Sequence, residues 1–234
     1  MPLQNTPVAM SAHAVMPPAK HYPTVLIDIW HLRCGTRVTL RPVLPQDAPL
    51  LGDLVSRLSG SARRNRFHAA TNELPATQLQ QMSCIDYRQH LALVVTTVQH
   101  GHEQVIAEAR YYVDEAGPGD LAQFAITVDD RWLRRGLGVR AMQALVNAAA
   151  SAGLGRLRGE VLAHNRAMLA LMKYCGFDCI PDPYYGGIIH TELYLDRPHV
   201  RSASPRRRGR WLRWLRWLGK RSQPAYGLAG NSHA

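Results

Sequence analysis

No uninterrupted apolar run in this chain approaches the ~18 residues that a membrane-spanning helix needs. The opening segment, MPLQNTPVAMSAHAVMPP, has neither a basic n-region nor a continuous apolar stretch, so nothing in it reads as a secretory signal. A cytoplasmic protein is the expectation. Cysteine is scarce: Cys34, Cys84, Cys175 and Cys179 are the only four, and the one close pair, Cys175 and Cys179, lacks the spacing of a zinc site. Reduced thiols and no bound metal follow as expectations. Acidic residues are absent after Asp196. Residues 1–196 hold 18 Lys and Arg and all 17 Asp and Glu, whereas residues 197–234 hold the other 10 basic residues. The net charge of +11 thus describes a near-neutral body with a basic tail, which argues against nucleic acid as the partner of the body.

What is present suits one domain with tails: 234 residues, 46% of them hydrophobic, can bury a sizeable core. Residues 1–22, rich in Pro, Ala and small polar residues without periodicity, predict a disordered arm. Residues 23–196 predict the folded domain. Its β-branched start, YPTVLIDIW, predicts a strand, and RVTLRPV a second one after a turn at Cys34-Gly35. Ala48, Leu51, Leu54, Val55 and Leu58 are spaced for a helix ending near Gly60. SARRNRFHAATNELP reads as a polar connection to a short helix around ATQLQQMS. HLALVVTTV, QVIAEARYYV and LAQFAITV predict an antiparallel meander. A helix over residues 136–152, the strand RLRGEVLA, the helix NRAMLALMKYC and strands near FDCI and IIHTELYL complete the pattern. Helices interspersed with consecutive strands predict an α/β or α+β class, with one mixed, mostly antiparallel sheet flanked by helices.

The segment QFAITVDDRWLRRGLGVRAMQAL carries the most chemistry. A strand ends at Val128, a turn with Gly136 and Gly138 follows, and an apolar-periodic helix begins at once. Such a turn aims free backbone N–H groups and the positive end of a helix dipole at one spot, where a pyrophosphate can be held. Arg134 and Arg135 add positive charge. A dinucleotide fingerprint is excluded by Ala141, which stands where a third glycine would fall, and a P-loop by the missing Lys-Ser/Thr.

Together with GEVLAHNRAMLALMKYCGF, this segment resembles the acetyl-CoA-binding core of the GNAT N-acetyltransferases, in which a Q/R-x-x-G-x-G/A turn precedes a helix opened by Asn and closed by Gly-Phe. Here those features are RRGLG, Asn165 and Gly176-Phe177. The runs RVTLRPVLPQDAPLLGDLVSRLSGSARRNRF and IDYRQHLALVV make the GNAT domain of bacterial protein-lysine acetyltransferases the more similar branch. The resemblance spans about residues 24–196 and implies a GNAT fold, transfer of acetyl from acetyl-CoA to a primary amine, and a protein lysine or small molecule as acceptor. It implies that Ile126 and Val128 lie along the pantetheine arm. The turn residues Arg134, Arg135, Gly136, Leu137, Gly138 and Val139 would hold the pyrophosphate, and Asn165 would lie beside the thioester.

Three positions depart from the family pattern. Gln123 stands where related enzymes commonly have a glutamate base, Met172 where a tyrosine acid is frequent, and Leu133 where the turn prefers Gln or Arg. Amine acetylation still needs a proton acceptor. Glu160 is the candidate, on a strand face shared with Arg158, Leu162 and His164, so pairing with Arg158 is its structural alternative. His164, Glu108 and Tyr111 are weaker candidates, and Tyr184 and Tyr185 in PYYGG could close an acceptor site. Gln123 and Met172 keep open a second reading: a catalytically weak acyl-CoA-binding regulatory module anchored to a membrane surface by its C-terminal tail.

Within the basic tail, RRRGRWLRWLRWLGKR over residues 206–221 spaces Trp211, Trp214 and Trp217 and Leu212, Leu215 and Leu218 by three. That pattern predicts an amphipathic helix for an anionic membrane surface, peripheral at the inner face, with docking on its own domain or a partner as the alternative.

Overall fold

The computed structural model describes residues 22–67, 73–114 and 120–195. The arm expected over residues 1–22, Tyr22 apart, and the basic tail, where a helix is expected, lie outside the described residues. Among the described residues no helix is long and apolar enough to cross a membrane.

One eight-stranded sheet, in the order β1-β2-β3-β4-β5-β6-β8-β7, organises the chain. YPTVLIDIW is only partly strand: Pro23 precedes a 3-10 turn at Thr24–Leu26, and β1 is Asp28–His31. The register explains the late start. β1 pairs with β2 (Arg37–Pro42) from Asp28 opposite Leu40, and two residues on β2 ends at a proline that has no N–H to donate. Next, α1 (Ala48–Arg57) buries Leu51, Leu54 and Val55, the i, i+3, i+4 face its sequence predicts.

The polar stretch after it is not all loop. It contains α2 (Gly60–Phe67), whose only apolar side chains are Ala62 and Phe67 and which therefore shows no amphipathic stripe. Side-chain ties replace that stripe. Ser59 Oγ accepts from the Ala62 N–H at 3.2 Å, as an N-cap does, and Asp130 accepts from Ser59 N–H and Oγ at 2.8 and 2.9 Å. After α3 (Ala76–Ser83), the meander forms: β3 (His90–Gln99), β4 (His102–Val113) and β5 (Leu121–Val128), all antiparallel. The β3–β4 hairpin turns through His100 and Gly101, both with positive φ, the combination that matches the twist of a two-residue loop.

The chain then passes through α4 (Leu137–Ser151) to β6 (Arg156–Leu162), which lies parallel to β5. A parallel neighbour requires such a crossover. α5 (Arg166–Tyr174), β7 (Asp178–Pro181) and β8 (Ile188–Tyr194) close the domain, with β8 inserted antiparallel between β6 and β7. The sheet separates two cores. Against α4 lie Leu40, Leu93, Ile106 and Ala109 with Met142 and Leu145; against α1 and α3 lie Ala92, Val94 and Val105 with Leu54 and Met82. Truncating Leu145, which has no exposed surface, to alanine would cost about 2–5 kcal/mol.

Candidate active site

β5 and β6 begin as partners and then part. Only Leu121, Ala122 and Gln123 pair with β6, opposite Arg156, Leu157 and Arg158. From Phe124 on, β6 is held by β8 alone, and the Phe124 ring enters the gap against the bare Cα of Gly159. A Cβ at Gly159 would lie 2.7 Å from two ring carbons, so any larger residue there would displace the wedge. Beyond it, β5 has an edge with no strand beside it, facing a cleft of about 830 Å³. An extended ligand with amide groups can pair with such an edge as an added strand.

The turn that follows is held from below. Asp129 is fully buried, and its carboxylate accepts from Arg131 N–H, Nε and Nη2 at 3.0, 3.1 and 2.8 Å and from Arg57 Nε at 3.1 Å. Burial pushes this carboxyl's pKa up, but the hydrogen bonds from Arg131 and Arg57 outweigh it and hold it below the ordinary value. Above this anchor, φ is +59° at Arg134 and +82° at Gly136, with no positive φ at Arg135 between them. Left-handed residues so spaced curl successive N–H groups toward a common side.

Among the described residues, no hydrogen bond uses the N–H of Arg134, Arg135 or Gly136. The N–H groups of Leu137, Gly138 and Val139 form the unsatisfied first turn of α4. Gly138 lies where a Cβ would come 3.2 Å from Leu171 and 3.7 Å from Val128, so its missing side chain keeps the cleft open. This combination fits a pyrophosphate.

Ile126, Val128, Arg134, Gly136, Leu137, Gly138, Val139, Asn165 and Glu160 all border the same cleft. The Arg135 guanidinium lies elsewhere, 4.8 Å over the Trp132 ring and 3.6 Å from Cys34 Sγ. Asn165 caps α5, its side-chain oxygen accepting from Met168 N–H at 3.2 Å, and the side chain is fixed at the cleft's edge by that bond.

Glu160 is not paired with Arg158, which binds Glu192 at 2.8 Å across β8. Its register partner is His190. The Glu160 carboxylate, 7% exposed, lies 3.4 Å from His190 Nδ1, and His190 Nε2 lies 2.7 Å from Asp182 Oδ2. Asp182 also accepts from the N–H groups of Tyr184 and Tyr185 at 2.7 and 2.9 Å. The Tyr184 amide and the His190 ring hold the Asp182 carboxyl below the ordinary range. The loop PYYGG is thereby tied to the candidate base.

Met172 is fully buried, whereas Tyr174 is exposed and borders the cleft with Ala167, Ala170 and Leu171. Glu108 is not available as a base. Burial would raise its pKa, but Arg110 and Arg66 bind its carboxylate and hold it low. Tyr111 is buried in the core on the α4 face, and His164 is exposed.

Two features here escape sequence reading. Asn65 and Arg66 of α2 form part of the cleft wall, and Ser59 as an N-cap was the one signal of that helix. The Glu160–His190–Asp182 chain has no local signal, since it depends on the β6–β8 register. Among the described residues no cluster of His, Cys, Asp and Glu is arranged for a metal ion.

The profile of the acetyltransferase (GNAT) domain family matches residues 37–178. The chain is 32% identical over 162 residues to acetyltransferase Pat of Mycolicibacterium smegmatis, covering 69% of this chain and 47% of that protein. It thus spans about half the length of that relative. The GNAT domain of S. lividans PAT superposes with a TM-score of 0.67 at 24% identity, covering 75% of this chain and all of that one. The structure of yncA from Salmonella typhimurium with acetyl-CoA superposes at 0.55 with 14% identity, over 71% of this chain and 99% of that one. These two structures share the fold. With the family profile spanning more than half of its length, the chain belongs to the GNAT acetyltransferase family.

Proposed function

We propose that the protein transfers an acetyl group from acetyl-CoA to a primary amine, with a protein lysine as the favoured acceptor. The observation that carries this reading is the parting of β5 from β6 directly above a turn whose N–H groups stand free. The acetyl-CoA found with yncA supports the choice of ligand.

When bound, acetyl-CoA supplies a thioester carbonyl as the electrophile. The chain supplies the rest. The N–H groups of residues 134–139 hold the pyrophosphate, and the free edge of β5 along Ile126 and Val128 pairs with the pantetheine amides. Asn165 sits at the cleft's rim beside the thioester. Glu160 takes the proton of the acceptor ammonium, directly or through a water, so that a neutral amine attacks. His190 and Asp182 then offer that proton a path to solvent. Tyr174, whose ring faces the cleft, offers a hydroxyl to the departing thiolate.

The test is release of free CoA from acetyl-CoA with a panel of amines and lysine peptides. Turnover with at least one acceptor supports the reading; tight binding without turnover by any acceptor would favour an acyl-CoA-binding module. The basic tail is assigned to an anionic membrane surface. Deleting residues 197–234 should abolish binding to anionic liposomes and leave acetyl-CoA binding intact; equal liposome binding by both forms would refute that part.

A further inference from the structure

The α2 wall of the cleft holds an arginine whose surroundings are incomplete. Arg66 is 9% exposed and borders the cleft. A guanidinium carries five N–H donors. Among the described residues its only hydrogen bond is from Nη2 to Glu108 Oε2, at 3.4 Å, and Nε has no acceptor at all. The Phe67 ring, 5.1 Å from the Arg66 Cζ, covers the guanidinium without accepting its hydrogens in plane.

Glu108 gives Arg66 one bond and no second: its other oxygen is bound by Arg110 Nε. Arg110, by contrast, is satisfied: it also reaches His90 Nε2 at 3.1 Å and the Met82 carbonyl at 3.2 Å. Among the described residues two buried guanidiniums therefore share one salt-bridged carboxylate, which can neutralise only one of them. Histidine does not supply the missing anion, and His90 is held neutral by burial and by Arg110. An excess buried charge with open donors is costly unless something else binds it.

A second side chain of the cleft, on β5, is also unmatched. Thr127 lies opposite Glu108 in the β4–β5 register, is 7% exposed and borders the cleft, and its Oγ1 has no partner among the described residues. A hydroxyl can donate to an anion beside a guanidinium.

We propose that Arg66, with Thr127 beside it, binds a carboxylate carried by one of the two reactants. Resting on the N-acyl transfer reading above, this names a substrate class: either the acyl chain is that of a dicarboxylic acid, taking the place of acetyl, or the acceptor amine bears a carboxylate. Planar, charge-assisted pairing is the geometry that arginine offers such a group.

Two arms separate the sources. In the first, calorimetry compares acetyl-CoA with malonyl-CoA; in the second, CoA release from acetyl-CoA compares lysine with 1,5-diaminopentane, its decarboxylated counterpart. The wild-type protein should favour the carboxylate-bearing partner at least tenfold in one arm, and R66Q should bring that ratio to within about twofold of unity. R66K, which keeps a charge for Glu108, should retain only part of it. The ratio is the readout, so a general loss of activity does not mimic the result. No preference by the wild-type protein in either arm overturns the proposal without need of any variant, as does a preference that survives R66Q. Failure of acetyl-CoA itself to bind would overturn the acetyltransferase reading instead.

Discussion

One part of the cleft's lining is built from backbone and another from buried charge. At the β5–α4 turn, side chains are mostly out of the way: Gly136 and Gly138 present bare N–H groups, and Arg135 turns aside onto Trp132. At α2 the reverse holds, with Arg66 bound to Glu108, Glu108 bound to Arg110, and Thr127 opposite Glu108 in the β4–β5 register. A backbone site tolerates varied side chains but not the loss of glycine. A charge site tolerates backbone variation but not the loss of one partner. The first kind suits a constant ligand such as a pyrophosphate, and the second suits the ligand that distinguishes one enzyme from another.

Changes in each part should therefore fail in different ways. The largest effect is expected from Glu108→Gln, which leaves the buried guanidiniums of Arg66 and Arg110 without their shared carboxylate. It should lower the unfolding free energy by about 3–5 kcal/mol in urea titrations. The double change Gly136→Val and Gly138→Val should leave a cooperative melt but weaken acetyl-CoA binding about 100-fold in calorimetry. Its causes are a left-handed site that costs a valine about 1–2 kcal/mol and branched side chains over the amides. Glu160→Gln should lower kcat about 100-fold with the acetyl-CoA affinity unchanged; full turnover would remove Glu160 from the mechanism.

The smallest effect is one of pH. Burial and Arg110 depress the His90 pKa from 6.5 to about 3, so the unfolded chain takes up a proton that the folded one refuses. The stability contributed by neutral His90 is thus present above about pH 6.5 and lost as pH falls toward about 3, at roughly 1 kcal/mol per pH unit. Urea unfolding from about pH 6.5 to about pH 5.5 should show the loss, and His90→Gln should flatten it.

The same contrast explains what the sequence disclosed. Gly136 and Gly138 act through conformations set within a few residues, so a candidate anion turn was legible there, and the resemblance to the GNAT acetyltransferases added Asn165 as the residue that opens the next helix. The meander was legible for a related reason, since β3, β4 and β5 are consecutive and antiparallel. Glu160 could be placed on a strand face, yet its neighbour could not: Arg158 was nearer in sequence, and the pairing of β6 with β8 brought His190 instead. α2 was missed because it buries Arg66 and Phe67 rather than an apolar stripe, and its ties run to Asp130 and Glu108 far along the chain. Tyr174 shows the limit from another side. Counting positions from Gly176 singled out Met172, while the helix turns Tyr174 toward the cleft and Met172 into the core.

The most direct measurement is diffraction from crystals grown with acetyl-CoA. The account predicts the pyrophosphate within hydrogen-bonding reach of the N–H groups of residues 134–139, the pantetheine arm paired along β5 beyond Gln123, and the thioester on the side of Glu160. Acetyl-CoA bound away from that turn, or with its thioester remote from Glu160, would contradict it.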